Sequence, residues 1–338
     1  MKRIIILGLL LLLTGCRKST HYDELLQKYE ESKDHVLRLY MEQEIQEEKL
    51  DANYLITDLS DIAVMNTNTF SSSELRSPTG ILCRENDVII SDMQRDCLLV
   101  FDYQGNLLRT VGSTGNGELE FMCPMALDSF ESNIYILDGR NNRVQILNSN
   151  FEYLESVSIK KYDTDSNFFY SDMVVGNSGE IYISGQSLVE SYIFCYDKGN
   201  STPIRIGNNF CGSLAKENGR IYAINIGSLY ITEDEDDGIG LTNGRNYLFE
   251  VKDMKMEKIC ELPYGLYIRD FIIEDGEIIC TSASLSQLLV FDLEGNIIKS
   301  LGKINDERVL YYSSVASTYD NRLVVTDSYI NKICVTGK

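Results

Sequence analysis

Apolar residues fall along this chain in short runs split by Gly, Asn and Asp clusters, and the runs recur. Val88-Ile-Ile-Ser-Asp-Met-Gln-Arg-Asp-Cys-Leu-Leu-Val-Phe-Asp102 returns as Ile134-Tyr-Ile-Leu-Asp-Gly-Arg-Asn-Asn-Arg-Val-Gln-Ile-Leu-Asn148, 46 residues later. Equivalent runs open at Ile181, Ile221, Ile278 and Leu323, so the six starts are spaced by 46, 47, 40, 57 and 45 residues. Short apolar runs bounded by turn residues predict strands. A period of this size filled with short strands predicts an all-β, six-bladed β-propeller with four-stranded antiparallel blades.

The first repeat shows the unit. Its expected strands are Thr79–Arg84, Asp87–Ser91, Cys97–Asp102 and Leu107–Val111. Tyr103-Gln-Gly-Asn106 is a hairpin turn whose Gly and Asn tolerate positive φ, and Phe291-Asp-Leu-Glu-Gly-Asn296 repeats it. The last repeat ends at Lys338 after its third strand. A ring left open there would expose a strand edge, which folded proteins avoid. The strand-like segment Tyr54–Met65 precedes the first repeat, and it is expected to complete the sixth blade and close the ring.

The start of the chain is of another kind. Met1-Lys2-Arg3 is followed by the apolar run Ile4–Leu13, too short for a bilayer-spanning helix, which needs about 20 residues. Residues 1–15 therefore read as a signal peptide. The segment 16–51 places Tyr22, Leu25, Leu26, Tyr29, Val36, Leu37, Tyr40 and Met41 at helical spacing, with Thr20 a candidate N-cap. It predicts a short, charged helical arm, a spacer before the propeller of residues 52–338. A partner-binding coiled coil would need a longer apolar stripe.

Composition narrows the function classes. A formal net charge of −20, which deepens when Lys2 and Arg3 leave with the leader, repels phosphate backbones and argues against nucleic-acid binding. Nine cysteines contain no Cys-x-x-Cys pair; most of the eight beyond Cys16 fall inside apolar runs and are expected to be free, buried thiols. The only histidines, His21 and His35, lie in the arm, so the ring lacks His-based zinc sites and Ser-His-Asp triads.

Two resemblances add to this. Leu13-Thr-Gly-Cys16 resembles the lipobox of bacterial lipoproteins, which implies diacylglycerol on the Cys16 thiol, cleavage before it, and acylation of the new amine. The plainer alternative is an ordinary secretory leader. Pro78-Thr-Gly-Ile81 with Val88-Ile-Ile-Ser-Asp92 resembles the NHL repeat, as do Val111-Gly-Ser-Thr-Gly-Asn-Gly-Glu-Leu-Glu-Phe121 and Asp138-Gly-Arg-Asn-Asn-Arg143. Repeats three and four depart from that motif. Taken whole, the chain resembles the six-bladed β-propeller lipoproteins of Gram-negative bacteria. That implies a monomer anchored in the cell envelope, on the outer membrane, facing the periplasm or the surface.

Candidate chemistry sits in loops. The links between the second and third strands offer Arg95, then Arg140 and Asn141. In the fourth repeat this link expands to Gly227–Asn246 and includes Glu233-Asp-Glu-Asp-Asp-Gly238. Asp234, Asp236 and Asp237 are weak candidates for Ca²⁺, but with Gly238 as position six an EF-hand would need Glu where Gly244 stands. A solvated acidic loop is the favoured reading of the run. The repeated Asp92, Asp138 and Asp327 are expected to cap turns rather than bind metal. The expectation is thus a binding module for a protein or glycan partner through one loop face, with no catalytic residue and no cofactor. The alternative is a calcium-type lactonase or hydrolase with its site in the central channel.

Overall fold

A computed structural model describes residues 68–71, 74–159, 168–187, 191–197, 203–207, 210–225, 229–231, 239–241, 246–262, 266, 268–282, 287–303, 314–317, 322–327 and 332–337. Among these, six four-stranded antiparallel sheets are present and no helix. The leader, the arm and Tyr54–Met65 lie outside the described residues.

Each sheet is one blade, and its first strand lines the centre. Blade 1 runs Pro78–Cys83, Val88–Asp92, Cys97–Phe101 and Leu107–Val111. Blade 2 runs Pro124–Phe130, Asn133–Asp138, Arg143–Leu147 and Tyr153–Ser158. Blade 3 runs Phe169–Val175, Ile181–Gln186, Ser191–Tyr196 and Ile204–Ile206. Blade 4 uses Gly212–Glu217, Arg220–Asn225, Asn246–Lys252 and Lys255–Leu262. Blade 5 runs Ile268–Glu274, Glu277–Ser282, Gln287–Phe291 and Ile297–Lys303.

Blade 6 takes Val315–Ser317, Arg322–Asp327 and Lys332–Gly337 from the end of the chain and its outer strand, Asn68–Ser71, from the beginning. The register is Asn68↔Val335 through Ser71↔Lys332. Closure by an N-terminal strand is thus as the sequence predicts, but the closing segment is Asn68–Ser71 and not Tyr54–Met65. As an edge strand it has a hydrogen-bonding neighbour on one side only, and its N–H groups alternate between that neighbour and solvent. Of the variants Thr69→Pro and Phe70→Pro, one should therefore be nearly silent. The other should cost about 2 kcal/mol from a lost ladder bond and a stranded carbonyl. Urea titration of both reads this; equal losses would mean the strand does not pair as described.

The core explains why the inner runs are apolar without alternation. Val88, Ile89 and Ile90 are all fully buried because a blade is covered on both faces. Ile89, Leu98 and Val100 pack against Ile134 and Ile136 of blade 2 and Phe121 of the link leading to it, whereas Val88, Ile90 and Leu99 pack against Val324, Ile333 and Val335 of blade 6. Similar clusters fill the interfaces between blades 2 and 3, 3 and 4, 4 and 5, and 5 and 6. Each interface is one slice of a continuous annular core.

Hydroxyl groups on second strands tie neighbouring blades. Ser91 Oγ accepts from Gly80 N (2.8 Å) and donates to Met125 O of blade 2 (3.2 Å). Ser184 Oγ donates to Gly212 O of blade 4 (2.6 Å), and Thr326 Oγ1 to Thr79 O of blade 1 (3.3 Å). The repeat aspartates act likewise. Asp92 accepts from Arg76 N and Ser77 N in the incoming link and from Gln94 N and Arg95 N in the next turn. Turn capping, as the sequence suggests, is therefore only half of the role of Asp92.

Candidate ligand channel

The six inner strands surround a cavity of about 380 Å³ on the ring axis. Their polarity is unlike that of the blades. Asp128, Ser171, Asp172, Gln186, Ser213, Lys216, Arg269 and Asp270 all line it, among Met125, Cys211 and Phe271. Asp172 and Asp270 reach this wall through backbone irregularities: the register of blade 3 shifts between Tyr170 and Asp172, and that of blade 5 between Ile268 and Asp270. Each bulge lets an acid stand in an apolar strand and face the axis.

Once there, the carboxylates bind backbone rather than solvent. Asp172 accepts from Met173 N (2.7 Å) and from Leu214 N of blade 4 (2.8 Å). Asp270 accepts from Phe271 N (2.9 Å) and from Val315 N of blade 6 (2.9 Å). Asp128 repeats the arrangement with Ser129 N (2.7 Å) and Val175 N of blade 3 (2.6 Å). Each acid therefore staples its blade to the next. Lys216 completes the Asp128 site, its Nζ 2.8 Å from Oδ2 and also donating to Ser129 O and Val175 O. Burial nevertheless raises the Asp128 carboxyl above the ordinary range, outweighing the ammonium beside it.

Asp172 and Asp270 meet across blade 4. Ser213 Oγ lies 2.7 Å from Asp172 Oδ2 and 2.5 Å from Asp270 Oδ1. A hydroxyl carries one proton and can donate only once. The second short contact therefore needs a proton from a carboxyl, so the pair holds one proton between them. Burial raises both groups in the same direction, and the negative charge of Asp270 adds to the rise at Asp172.

This donor set does not fit a calcium ion, which asks for six to eight converging oxygens. The carboxylate oxygens of Asp128, Asp172 and Asp270 are occupied by N–H, O–H and ammonium donors. Among the described residues, no three His, Cys, Asp or Glu side chains converge as metal ligands. Asp234, Asp236 and Asp237 lie outside the described residues, as does the side chain of Asp327. Of the cysteines described, Cys97, Cys195, Cys211, Cys260 and Cys280 are buried and Cys83 and Cys123 half-buried, all as thiols outside any disulfide. Burial pushes the Cys97 and Cys260 thiols up to about 11, which makes them poor nucleophiles.

The loop candidates are divided by the structure. Arg95 is tied to Glu74, its Nη1 2.6 Å from both the backbone and a carboxylate oxygen. Asn141 donates to Gly115 O and to Asp138 Oδ2, each at 2.8 Å. With Arg143, which donates to Asn116 O, Gly117 O and Glu120 O, it pins down the glycine-rich link between blades 1 and 2. These two residues hold the fold together. Arg140 alone of the three is exposed. The blade 4 insertion contains a two-stranded hairpin, Leu229–Ile231 with Ile239–Leu241, between the second and third strands of that blade. The acidic run between them lies outside the described residues.

The channel residues other than the loop candidates escape sequence reasoning, although one signal exists. Asp172-Met-Val-Val175 and Asp270-Phe-Ile-Ile273 share an acid followed by three apolar residues, each just upstream of a second strand.

Comparison with known proteins agrees with this geometry. A family model described as 6-bladed beta-propeller matches residues 31–186. No curated protein sequence matches the chain. Among solved structures, a gluconolactonase from Xanthomonas campestris aligns with a TM-score of 0.57 at 11% identity, over 83% of this chain and 93% of that one. A calcium-binding regucalcin from Agrobacterium tumefaciens aligns at 0.54 and 12%, over 82% and 97%. Virginiamycin B lyase from Staphylococcus aureus aligns at 0.54 and 9%, over 80% and 99%. At such identities the likeness is one of fold alone. The chain is a β-propeller of four-stranded antiparallel blades closed by its own N-terminal strand, and the family model that matches residues 31–186 is likewise described as a 6-bladed beta-propeller.

Proposed function

We propose that this protein is a binding module rather than an enzyme, held at the cell envelope by a lipid on Cys16. It recognises a protein or glycan at the face where the second-to-third-strand loops and the blade links surround the channel mouth. One observation carries the reading: the acids of the channel are engaged with the backbone and with each other. Asp128 is matched by Lys216, and Asp172 and Asp270 meet at Ser213 Oγ. A general base needs an open lone pair beside its nucleophile, and the hydroxyl–carboxylate contact of the described wall, Ser213 with Asp172, has both carboxylate oxygens already accepting from Met173 N and Leu214 N. The insertion of blade 4 and the exposed Arg140 support the choice of face.

The test uses the whole protein with residues 227–245 replaced by a short Asn-Gly turn. Partner recovery by cross-linking in intact envelopes should fall at least tenfold, with the thermal transition of the ring unchanged. In parallel, Cys16→Ser should move the protein from the membrane to the soluble fraction. Calcium-dependent turnover of a sugar lactone by the purified ring would replace the binding reading with the hydrolase one.

A further inference from the structure

We propose that the channel mouth at blade 3 is a subsite for an uncharged, hydroxyl-bearing sugar ring, stacked on Phe169 and hydrogen-bonded by Gln186. The proposal rests on the binding reading above and names the ligand class.

Phe169 opens the inner strand of blade 3 and is 68% exposed, the most exposed of the large apolar side chains described. It is not loosely held. The residues on either side point inward: the Phe168 ring stacks 5.1 Å from that of Tyr192, and buried Tyr170 donates its hydroxyl to Asn142 Oδ1 (3.1 Å). Gly185 makes room for this packing, since a Cβ there would lie 2.4 Å from the Phe168 ring and 2.7 Å from the Phe169 carbonyl. The backbone of Phe169 is thus clamped while its ring faces out, an exposed aromatic platform on a fixed strand.

Its cross-strand partner is Gln186, so both side chains leave the same face of the blade about 5 Å apart at Cβ. Gln186 lines the channel, and its Oε1 is buried with no hydrogen-bond partner among the described residues. A buried, unsatisfied acceptor costs roughly 1–3 kcal/mol and is rare enough to demand a reason. As an acceptor it pairs with an O–H or N–H donor, and the Nε2 of the same amide can donate to a second hydroxyl. Beside it Asp128 is paired with Lys216, and the one negative charge left when Asp172 and Asp270 hold a single proton is offset by Arg269 on the same wall, so little net charge remains to select an ion. An apolar platform next to an unsatisfied acceptor in a wall of balanced charge fits a pyranose, with C–H groups on one face and O–H groups on its edge. The volume of about 380 Å³ admits one or two such rings.

The experiment is a titration of the purified Cys16→Ser protein on an array of neutral, acidic and basic glycans, with hits repeated by calorimetry. A neutral glycan should bind saturably. Phe169→Ala should weaken it at least tenfold with the unfolding temperature unchanged, because the exposed ring packs in no core, and Gln186→Ala about fivefold with no fall in unfolding temperature, because it removes an unsatisfied acceptor. Absence of neutral-glycan binding, preference for acidic glycans or free peptides, or affinity indifferent to Phe169→Ala would each overturn the assignment. If partner capture from envelopes persists while the array is blank, only the ligand class falls. If a bound glycan is cleaved, the binding reading itself falls.

Discussion

Gly212→Ala should be the most damaging small substitution in the ring. Gly212 opens the inner strand of blade 4, and a Cβ there would lie 1.9 Å from the Ile224 carbonyl oxygen and 2.8 Å from Asn225 Cα. Both are backbone atoms of the adjoining strand, so no side chain can swing aside to relieve the contact. The same residue accepts Ser184 Oγ from blade 3 through its carbonyl and precedes Ser213, the bridge between Asp172 and Asp270. Opening the pair would loosen three blades together. Overpacking ordinarily costs about 1–3 kcal/mol, and a backbone obstacle places this case at about 3 kcal/mol or more. Gly276→Ala is the control, because nothing lies within 4 Å of its Cβ although its φ is +77°. Only the left-handed backbone penalty applies there, about 1 kcal/mol. Denaturant unfolding of both proteins measures the difference, and equal losses would show that the close approach at Gly212 is relieved elsewhere.

What the sequence announces depends on how local the cause is. The hairpin turns are legible because their chemistry is self-contained: Asp102 accepts from Gln104 N and Asn106 N, with Gly105 at φ 91°, and Asp292 does the same for Glu294 N and Asn296 N, with Gly295 at φ 89°. The repeats are legible because every blade buries both faces and leaves continuous apolar runs. The closing strand is misplaced because the longer apolar segment, Tyr54–Met65, is the stronger local signal. Pairing with Lys332–Gly337 is set at the other end of the chain, and the four residues Asn68–Ser71 suffice for it.

The channel is hidden for a related reason. An acid inside an apolar run reads as an interruption, and only a bulge, defined by the partner strand, turns Asp172 and Asp270 toward the axis. Conversely, Arg95 and Asn141 look like free loop residues in a one-dimensional reading. Their partners, Glu74 and Gly115, lie 21 and 26 positions away. Polar side chains in propeller loops divide between holding blades together and meeting a ligand, and spacing does not separate the two.

The proton shared by Asp172 and Asp270 should make the ring lose stability, relative to an Asp270→Asn variant, as pH rises from about 4 to 8. The sign follows from linkage. Both carboxyls are raised above the unfolded value of about 3.9, so between that value and their folded range the native state binds more protons than the unfolded one. Raising the pH through that window withdraws stability, and above it the profile flattens. Each unit of displacement is worth about 1.4 kcal/mol, so a relative loss of at least that size is expected. Other acids pull the opposite way: Asn106 and backbone N–H groups hold Asp102 below its usual range, and Asn296 does so for Asp292. Those groups, like raised Asp128, are the same in both proteins and cancel in the comparison. Asp270→Asn keeps the shape and an amide donor for Ser213 Oγ but removes the titrating partner, so Asp172 loses the like charge that adds to its rise. The cost of the missing acceptor for Phe271 N or Val315 N is independent of pH and shifts the variant's curve without tilting it. Parallel curves would mean that both carboxyls are ionised at neutral pH, and the short contact from Asp270 to Ser213 would then lack the proton that holds blades 3, 4 and 5 together.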